Sequence, residues 1–240
     1  MRRLVLLGAL ALVLAAPAAA KPPRLTVFAA ASLTDVFPRI DAKEAYSFAG
    51  SNTLAAQIRQ GLPADVFASA NVVLPDRLYS EGLVERPVLF TANTLVMIAR
   101  KGNPEHLHGV YSLEQPGLKI VMGAPGVPVG DYTRTVLGRL GLSDLVAKAA
   151  SQETDVRAVL AKVVLGEADV GFVYATDART VRGKVAVFAI PPKAQPKVNY
   201  AVAVVKASRH RAAAAAWVKA LKGRAAQRKL RAAGFLRPGR

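Results

Sequence analysis

Residues 25–35 read LTVFAAASLTD and residues 45–58 read AYSFAGSNTLAAQI. In both, a short apolar run gives way to a small or hydroxyl residue and then to a helix-like stretch. Arg24 to Ala31 carries the continuous apolar run of a buried strand. Ser32 follows as a candidate N-cap with Asp35 three residues on, an acidic residue in a first helical turn. Pro38 shortens or kinks that helix. The unit then repeats. Ala45 to Ala49 is a second strand, Gly50-Ser51-Asn52 the loop, and Thr53 to Gly61 a helix closed by its glycine. Ala64 to Ala70 is a third strand and Leu74 to Gly82 a further helix. Strand, loop and helix in regular alternation predict an α/β layered chain with a mainly parallel sheet.

The alternation continues to the C-terminus. Thr94 to Arg100, Leu118 to Met122, Val170 to Tyr174, Lys184 to Ile190 and Asn199 to Lys206 read as strands. The Gly/Pro-rich loop GAPGVPVG opens a helix from Asp131 to Leu140, and Asp155 caps the helix VRAVLAKVVLGE. The Ala-rich segment from Arg209 to Ala233 reads as one closing helix, with Trp217, Leu221 and Leu230 on its apolar side. Ligands of open α/β sheets sit outside the carboxyl ends of strands. Four junctions in such places carry small, flexible or hydroxyl residues: Ala31-Ser32, Gly50-Ser51-Asn52, Pro128-Val129-Gly130 and Thr154-Asp155-Val156. Each leaves free backbone N–H groups and the positive end of a helix dipole. A single junction needs no explanation beyond helix capping, whereas several converging would form an anion site without lysine or arginine.

Composition narrows the classes. The chain has 240 residues, 52% of them hydrophobic, enough for one large domain or two modest ones. Arg2 and Arg3 precede the apolar run Leu4 to Ala16, and Ala18-Ala19-Ala20 offers a cleavage site, so residues 1–20 read as a secretory signal peptide. The run is short of the roughly 20 residues that a bilayer-spanning helix needs. With no cysteine, neither a disulfide nor a lipid-bearing cysteine is available, so the mature chain is expected to be extracytoplasmic and free of a lipid anchor. The formal charge is +17, and no acidic residue follows Asp177. Nucleic acid is discounted as a partner, because an exported chain seldom meets it and the basic residues lack interleaved aromatics. Their helical spacing between apolar residues reads instead as a solvated basic face.

Six segments together carry a resemblance. FAAASLTD (Phe28 to Asp35), SFAGSNTLAAQI (Ser47 to Ile58), PADVFASA (Pro63 to Ala70), GVPVGDYTR (Gly126 to Arg134), DVRAVL (Asp155 to Leu160) and ADVGFVYATDA (Ala168 to Ala178) resemble, in order, the periplasmic molybdate-binding proteins of ABC importers. The likeness runs from about Leu25 to Leu236. It implies a two-lobed type II periplasmic-binding-protein fold of α/β class, each lobe a mainly parallel sheet flanked by helices, with the ligand in the interlobe cleft. The lobes implied are residues 25–91 plus 199–240, and residues 92–198. The segment from Pro38 to Ser47 is shorter than the family pattern, which truncates the first helix.

The resemblance also implies a ligand and its partners. The hydroxyls and N–H groups of Ser32 and Ser51, the backbone N–H groups of Val129 and Val156, and the hydroxyl of Tyr174 would hold a molybdate or tungstate dianion. No residue would touch the metal directly, no cofactor is implied, and the partner would be a membrane permease served by a monomeric binding protein. Asp131 is expected to face solvent from the first turn of its helix, where negative charge is favoured. A lining of donors selects full dianions such as molybdate and sulfate over protonated phosphate.

Three other readings stand beside this one. The same fold binding sulfate, another small oxyanion or a small carboxylate is nearest. A hydrolase would need a nucleophile within reach of a base, yet the sequence holds only His106, His108 and His210 and no nucleophile-elbow or phosphate-loop pattern. His106 and His108 have strand-like spacing for a metal pair but no third ligand nearby. A polyanion-binding module rests on charge alone.

Overall fold

A computed structural model describes residues 23–239; the signal-peptide reading of residues 1–20 lies outside them. Among the described residues two five-stranded sheets form, each flanked by helices. The first sheet draws on β1 (Thr26–Ala30), β2 (Ala45–Ala49), β3 (Val66–Ser69) and β4 (Val88–Asn93), connected by α1 (Phe37–Ile40), α2 (Ser51–Arg59) and α3 (Val73–Ser80). The chain then passes into the second sheet, which is built from β5 (Leu95–Arg100), β6 (Ile120–Gly123), β7 (Ser151–Glu153), β8 (Val170–Tyr174) and β9 (Val185–Ala189). Its helices are α4 (Pro128–Arg139), α5 (Val156–Val164) and α6 (Ala175–Thr180). Finally β10 (Val198–Val204) returns to the first sheet and is followed by α7 (Arg211–Leu221) and α8 (Arg224–Ala232).

The strand orders are β2-β1-β3-β10-β4 and β7-β6-β8-β5-β9, the same plan twice. The parallel pairings β1–β2, β1–β3, β6–β7 and β6–β8 match the expected parallel character. Each sheet is nevertheless mixed, for one strand runs against the other four. In the first sheet it is β10, between β3 and β4; in the second it is β5, between β8 and β9. Both reversed strands are those by which the chain enters a lobe from its neighbour. Only Thr94 separates β4 from β5, so that entry has no helical crossover of the kind a parallel neighbour requires.

Three elements go unread in the sequence, and one reading is corrected. Strand β4 goes unread in the sequence, because VLFTAN follows a proline and shows no clean alternation. Strand β7 and helix α6 are likewise too short to carry a periodic signal. The closing helix is two helices, for Lys222 and Gly223 end α7 and Gly223 is the extended N-cap of α8. Glycine within a helix costs about 1 kcal/mol relative to alanine, so the run breaks there. The expected truncation of the first helix matches α1, a single four-residue turn.

An aromatic train steps through the interior. Trp217 packs edge-on to Phe37 at 5.5 Å between ring centroids, Phe37 lies 6.0 Å from Phe90, and Phe90 lies 6.2 Å from Tyr200. Tyr200 then meets Tyr174 of the second lobe at 5.9 Å. Edge-to-face pairs of this kind add about 0.5–1.5 kcal/mol each beyond area burial. They also fix the direction in which the two tyrosine hydroxyls point. Trp217, Leu221 and Leu230 are buried, as the apolar face of the closing segment predicts.

Candidate functional site

The carboxyl ends of the parallel strands in both sheets converge on one small cavity. β1 leads to Ser32, β2 to Ser51, β6 to Val129, β7 to Val156, and β8 ends on Tyr174. All five residues line this cavity, together with Ala30, Ala49, Gly50, Ala70 and Asp155 among others. The cavity is small, about 10 Å³ in volume. A space so narrow suits one compact group. Among the described residues no lysine or arginine lines it.

Three helices of nine residues or more begin at the cavity, α2, α4 and α5. Asp155 is the N-cap of α5, and its carboxylate accepts from the N–H groups of Arg157 at 2.7 Å and Ala158 at 3.1 Å. Of the first N–H groups of α5, that of Val156 is the one the cap does not take. In α4, Pro128 occupies the first position and has no N–H to lose, which leaves Val129 as the first donor. The turn from β6 into α4 is tight. A Cβ on Gly130 would lie 2.3 Å from the carbonyl oxygen of Gly123, so glycine is required for the helix start to press against the strand end. Three such N-termini place partial positive charge around a single point.

The hydroxyls are arranged differently from the capping roles read in sequence. Ser32 lies within a 3-10 turn (Ala31–Leu33) and caps no helix; Ser51 is the first residue of α2, whose N-cap is Gly50. Ser51 Oγ accepts from the N–H of Ala70 at 3.1 Å, which leaves its own proton free to donate. Ser32 Oγ pairs with Tyr200 Oη at 2.8 Å. The direction of that bond follows from a chain behind it. Asn93 Oδ1 accepts from the N–H of Thr94, so its Nδ2 donates to Thr176 Oγ1 and, at 3.4 Å, to Tyr200 Oη. Tyr200 therefore accepts from Asn93 and donates to Ser32, and the Ser32 proton is left for the cavity.

Tyr174 is 1% exposed, and its hydroxyl has no hydrogen-bond partner among the described residues. A buried orphan hydroxyl is disfavoured by about 1–3 kcal/mol, so its position against a cavity marks a place for an acceptor. Burial, chiefly, pushes its pKa well above the usual tyrosine value, so the group remains a neutral donor. Asp131 is exposed and accepts from the N–H of Gly126 at 2.9 Å, facing away from the cavity as expected. The carboxylate of Asp155 is the one acidic group in the lining, so the cavity is not composed of donors alone.

Sequence reasoning missed Tyr200 and Asn93, which orient Ser32 from behind, and the alanine wall. Tyr200 sits in a strand of alternating valine and alanine, where nothing in sequence separates a packing tyrosine from a polarising one. Among the described residues no group of three or more His, Cys, Asp or Glu is placed to hold a metal ion. His106 and His108 are exposed on either side of buried Leu107. No helix among the described residues is long and apolar enough to cross a membrane.

Comparison with known proteins bears on the same features. The molybdate-binding protein ModA of Mycobacterium tuberculosis H37Rv is 37% identical over 224 residues, covering 89% of this chain and 85% of its own. The protein of that name from Escherichia coli K12 is 35% identical over 220 residues, covering 83% and 84%. Among solved structures, the periplasmic molybdate-binding protein of Azotobacter vinelandii superposes with a TM-score of 0.80 over 90% of this chain and 100% of that one. At 23% identity, that likeness speaks for the fold. The family model of bacterial extracellular solute-binding proteins matches residues 25–236, and the chain belongs to that family.

Proposed function

We propose that this protein captures a molybdate or tungstate dianion outside the cytoplasm and delivers it to the membrane permease of an ABC importer. In this reading Ser32, Ser51 and Tyr174 donate hydroxyl protons to the anion's oxygens, and Val129 and Val156 donate backbone N–H groups. The observation that carries it is the unpartnered Tyr174 hydroxyl, buried against a cavity where three helix N-termini meet. The names of the relatives, both molybdate-binding proteins, support the ligand's identity. Residues 1–20 would direct export, and the lobes would be residues 25–91 plus 199–240 and residues 92–198. The protein would act as a monomer and carry no catalytic step.

The energetics are adequate. A hydrogen bond to a charged oxygen contributes about 1.5–3 kcal/mol, and a helix N-terminus about 0.3–1 and up to ~2 kcal/mol when partly buried. Five donors and three dipoles can therefore offset desolvation of the dianion and reach the ~8.2 kcal/mol of micromolar affinity. The Asp155 carboxylate repels the dianion, but it is engaged by two N–H groups at the start of α5. Sulfate presents the same charge and symmetry in a smaller body, so cavity size makes the choice between the two.

Calorimetric titration of the mature chain with molybdate, tungstate, sulfate and phosphate tests the reading. Molybdate and tungstate should bind at least tenfold tighter than sulfate; equal or weaker binding would overturn the assignment. Running the molybdate titration at low and high chloride separates the cleft from the basic C-terminal face. Binding by enclosed dipoles should keep most of its affinity, whereas a surface polyanion site would lose it steeply.

A further inference from the structure

Besides the Tyr174–Tyr200 ring contact, two further contacts beside the donor set cross between the lobes. Gly50, at the start of α2 in the first lobe, lies against the backbone of Thr154, which follows β7 in the second. A Cβ placed on Gly50 would sit 2.2 Å from the Thr154 carbonyl oxygen and 2.7 Å from Asn52 Oδ1. The Asn52 amide is the far end of a side chain and can turn aside. The Thr154 carbonyl is backbone, anchored between β7 and the Asp155 cap, and cannot. Gly50 itself has φ −57° and ψ 134°, a conformation open to any residue, so nothing within its own lobe demands glycine.

The second contact is ionic. Arg157 in α5 sends Nη2 to Asp35 Oδ2 of the first lobe at 2.5 Å, while its Nε lies 2.6 Å from Asp177 Oδ1 of its own lobe. Asp177 is fully buried and stays with Arg157 whatever the lobes do; Asp35, nearly half exposed, meets it only across the cleft. Asp35 thus has a different role from the first-turn acid read in the sequence. Arg157 adjoins Val156, so the pair draws the N-terminus of α5 toward the turn that carries Ser32.

We infer that Gly50 and the Asp35–Arg157 pair govern lobe closure, and so set how long the anion is retained without binding it themselves. This rests on the oxyanion reading above only in needing a ligand for the cleft to close upon. Exposed ion pairs are weak, so the latch alone leaves an empty cleft free to open and slows release once an anion has closed it. The glycine acts sterically, because any side chain there holds the helix starts apart and the donors no longer converge.

The test uses the mature chain and its Gly50→Ala, Asp35→Asn, Asp35→Glu and Gly50→Ala/Asp35→Asn variants, with molybdate, tungstate and sulfate each as probe. Overpacking of this size should weaken Gly50→Ala binding about ten- to hundredfold. Its ligand-free melting temperature should fall only by the few degrees that alanine costs at the N-cap of α2, and its radius of gyration by small-angle scattering should not contract at saturating anion as the parent's does. Asp35→Asn should raise the dissociation rate about two- to fivefold with an unaltered association rate, and Asp35→Glu should restore it. In the Gly50→Ala background, Asp35→Asn should add nothing, since the pair no longer meets. A Gly50→Ala protein that contracts and binds like the parent overturns the steric half, and an unaltered dissociation rate in Asp35→Asn overturns the ionic half. Should the parent bind sulfate and not molybdate, the earlier ligand assignment fails and closure is still tested with sulfate. Should it bind none of the three anions, both fall.

Discussion

Replacing Tyr174 by phenylalanine removes one oxygen and should move stability and affinity in opposite directions. In the ligand-free chain the hydroxyl is buried without a hydrogen-bond partner, so its loss removes an unsatisfied group and leaves the ring packed between Tyr132 and Tyr200. The orphan is disfavoured by about 1–3 kcal/mol, part of which solvent in the cavity relieves. A gain of zero to about 1 kcal/mol is expected, or up to about 2–4 °C in melting temperature for a chain of this length. With an oxyanion bound, the same hydroxyl donates to a charged oxygen. Its removal should cost about 1.5–3 kcal/mol, which is about ten- to 150-fold in affinity. Because burial holds the Tyr174 pKa well above its usual value, the loss should be the same across neutral and mildly alkaline pH. Thermal melts without ligand and titration calorimetry with molybdate, on the same preparations, give both quantities. A less stable variant with parental affinity would refute the reasoning, for it would make Tyr174 a packing residue and its hydroxyl irrelevant to the ligand.

Ser51→Ala should weaken molybdate binding about tenfold and also lower the melting temperature, because it strips the Ala70 N–H of its acceptor; titration and melts together check this. Tyr200→Phe should weaken binding severalfold without touching the ligand, since Ser32 loses the donor that leaves its own proton for the anion, and calorimetry compared with Ser32→Ala should show the two losses to be non-additive. Asp177 supplies a pH signature. Burial, opposed by Arg157, raises its pKa from 3.8 to about 6, so between those values the folded chain holds a proton that the unfolded chain releases. Its contribution is therefore present below pH 3.8 and lost as pH rises through about 6. Denaturant unfolding across that window should show a falling component that Asp177→Asn abolishes, and identical slopes for the two proteins would sink the assignment.

Much of this molecule follows from local sequence. The strand and helix of each repeat are short-range events, set by apolar runs of four to six residues and by glycines that end them. LTVFAA and ADVFASA therefore read as strands directly, and TLAAQIRQG as a helix. The junctions that line the cavity were legible for the same reason, since a helix start exposes its N–H groups wherever it lies. What local sequence could not supply is which of these ends meet. β10 inserts between β3 and β4 from more than a hundred residues away, and only that insertion carries Tyr200 behind Ser32 and turns its hydroxyl. Ser32 reads as a cap in sequence because a hydroxyl before a helical stretch is most often one; tertiary placement gives it a tyrosine instead. Asp35 likewise reads as a dipole-compensating acid, and becomes an interlobe partner only because α5 of the other lobe brings Arg157 to it. Gly50 is the clearest case. Its own backbone needs no glycine, and the reason for one is a carbonyl 104 positions further along the chain, at Thr154, which approaches only because the strand ends of the two sheets converge on one cavity.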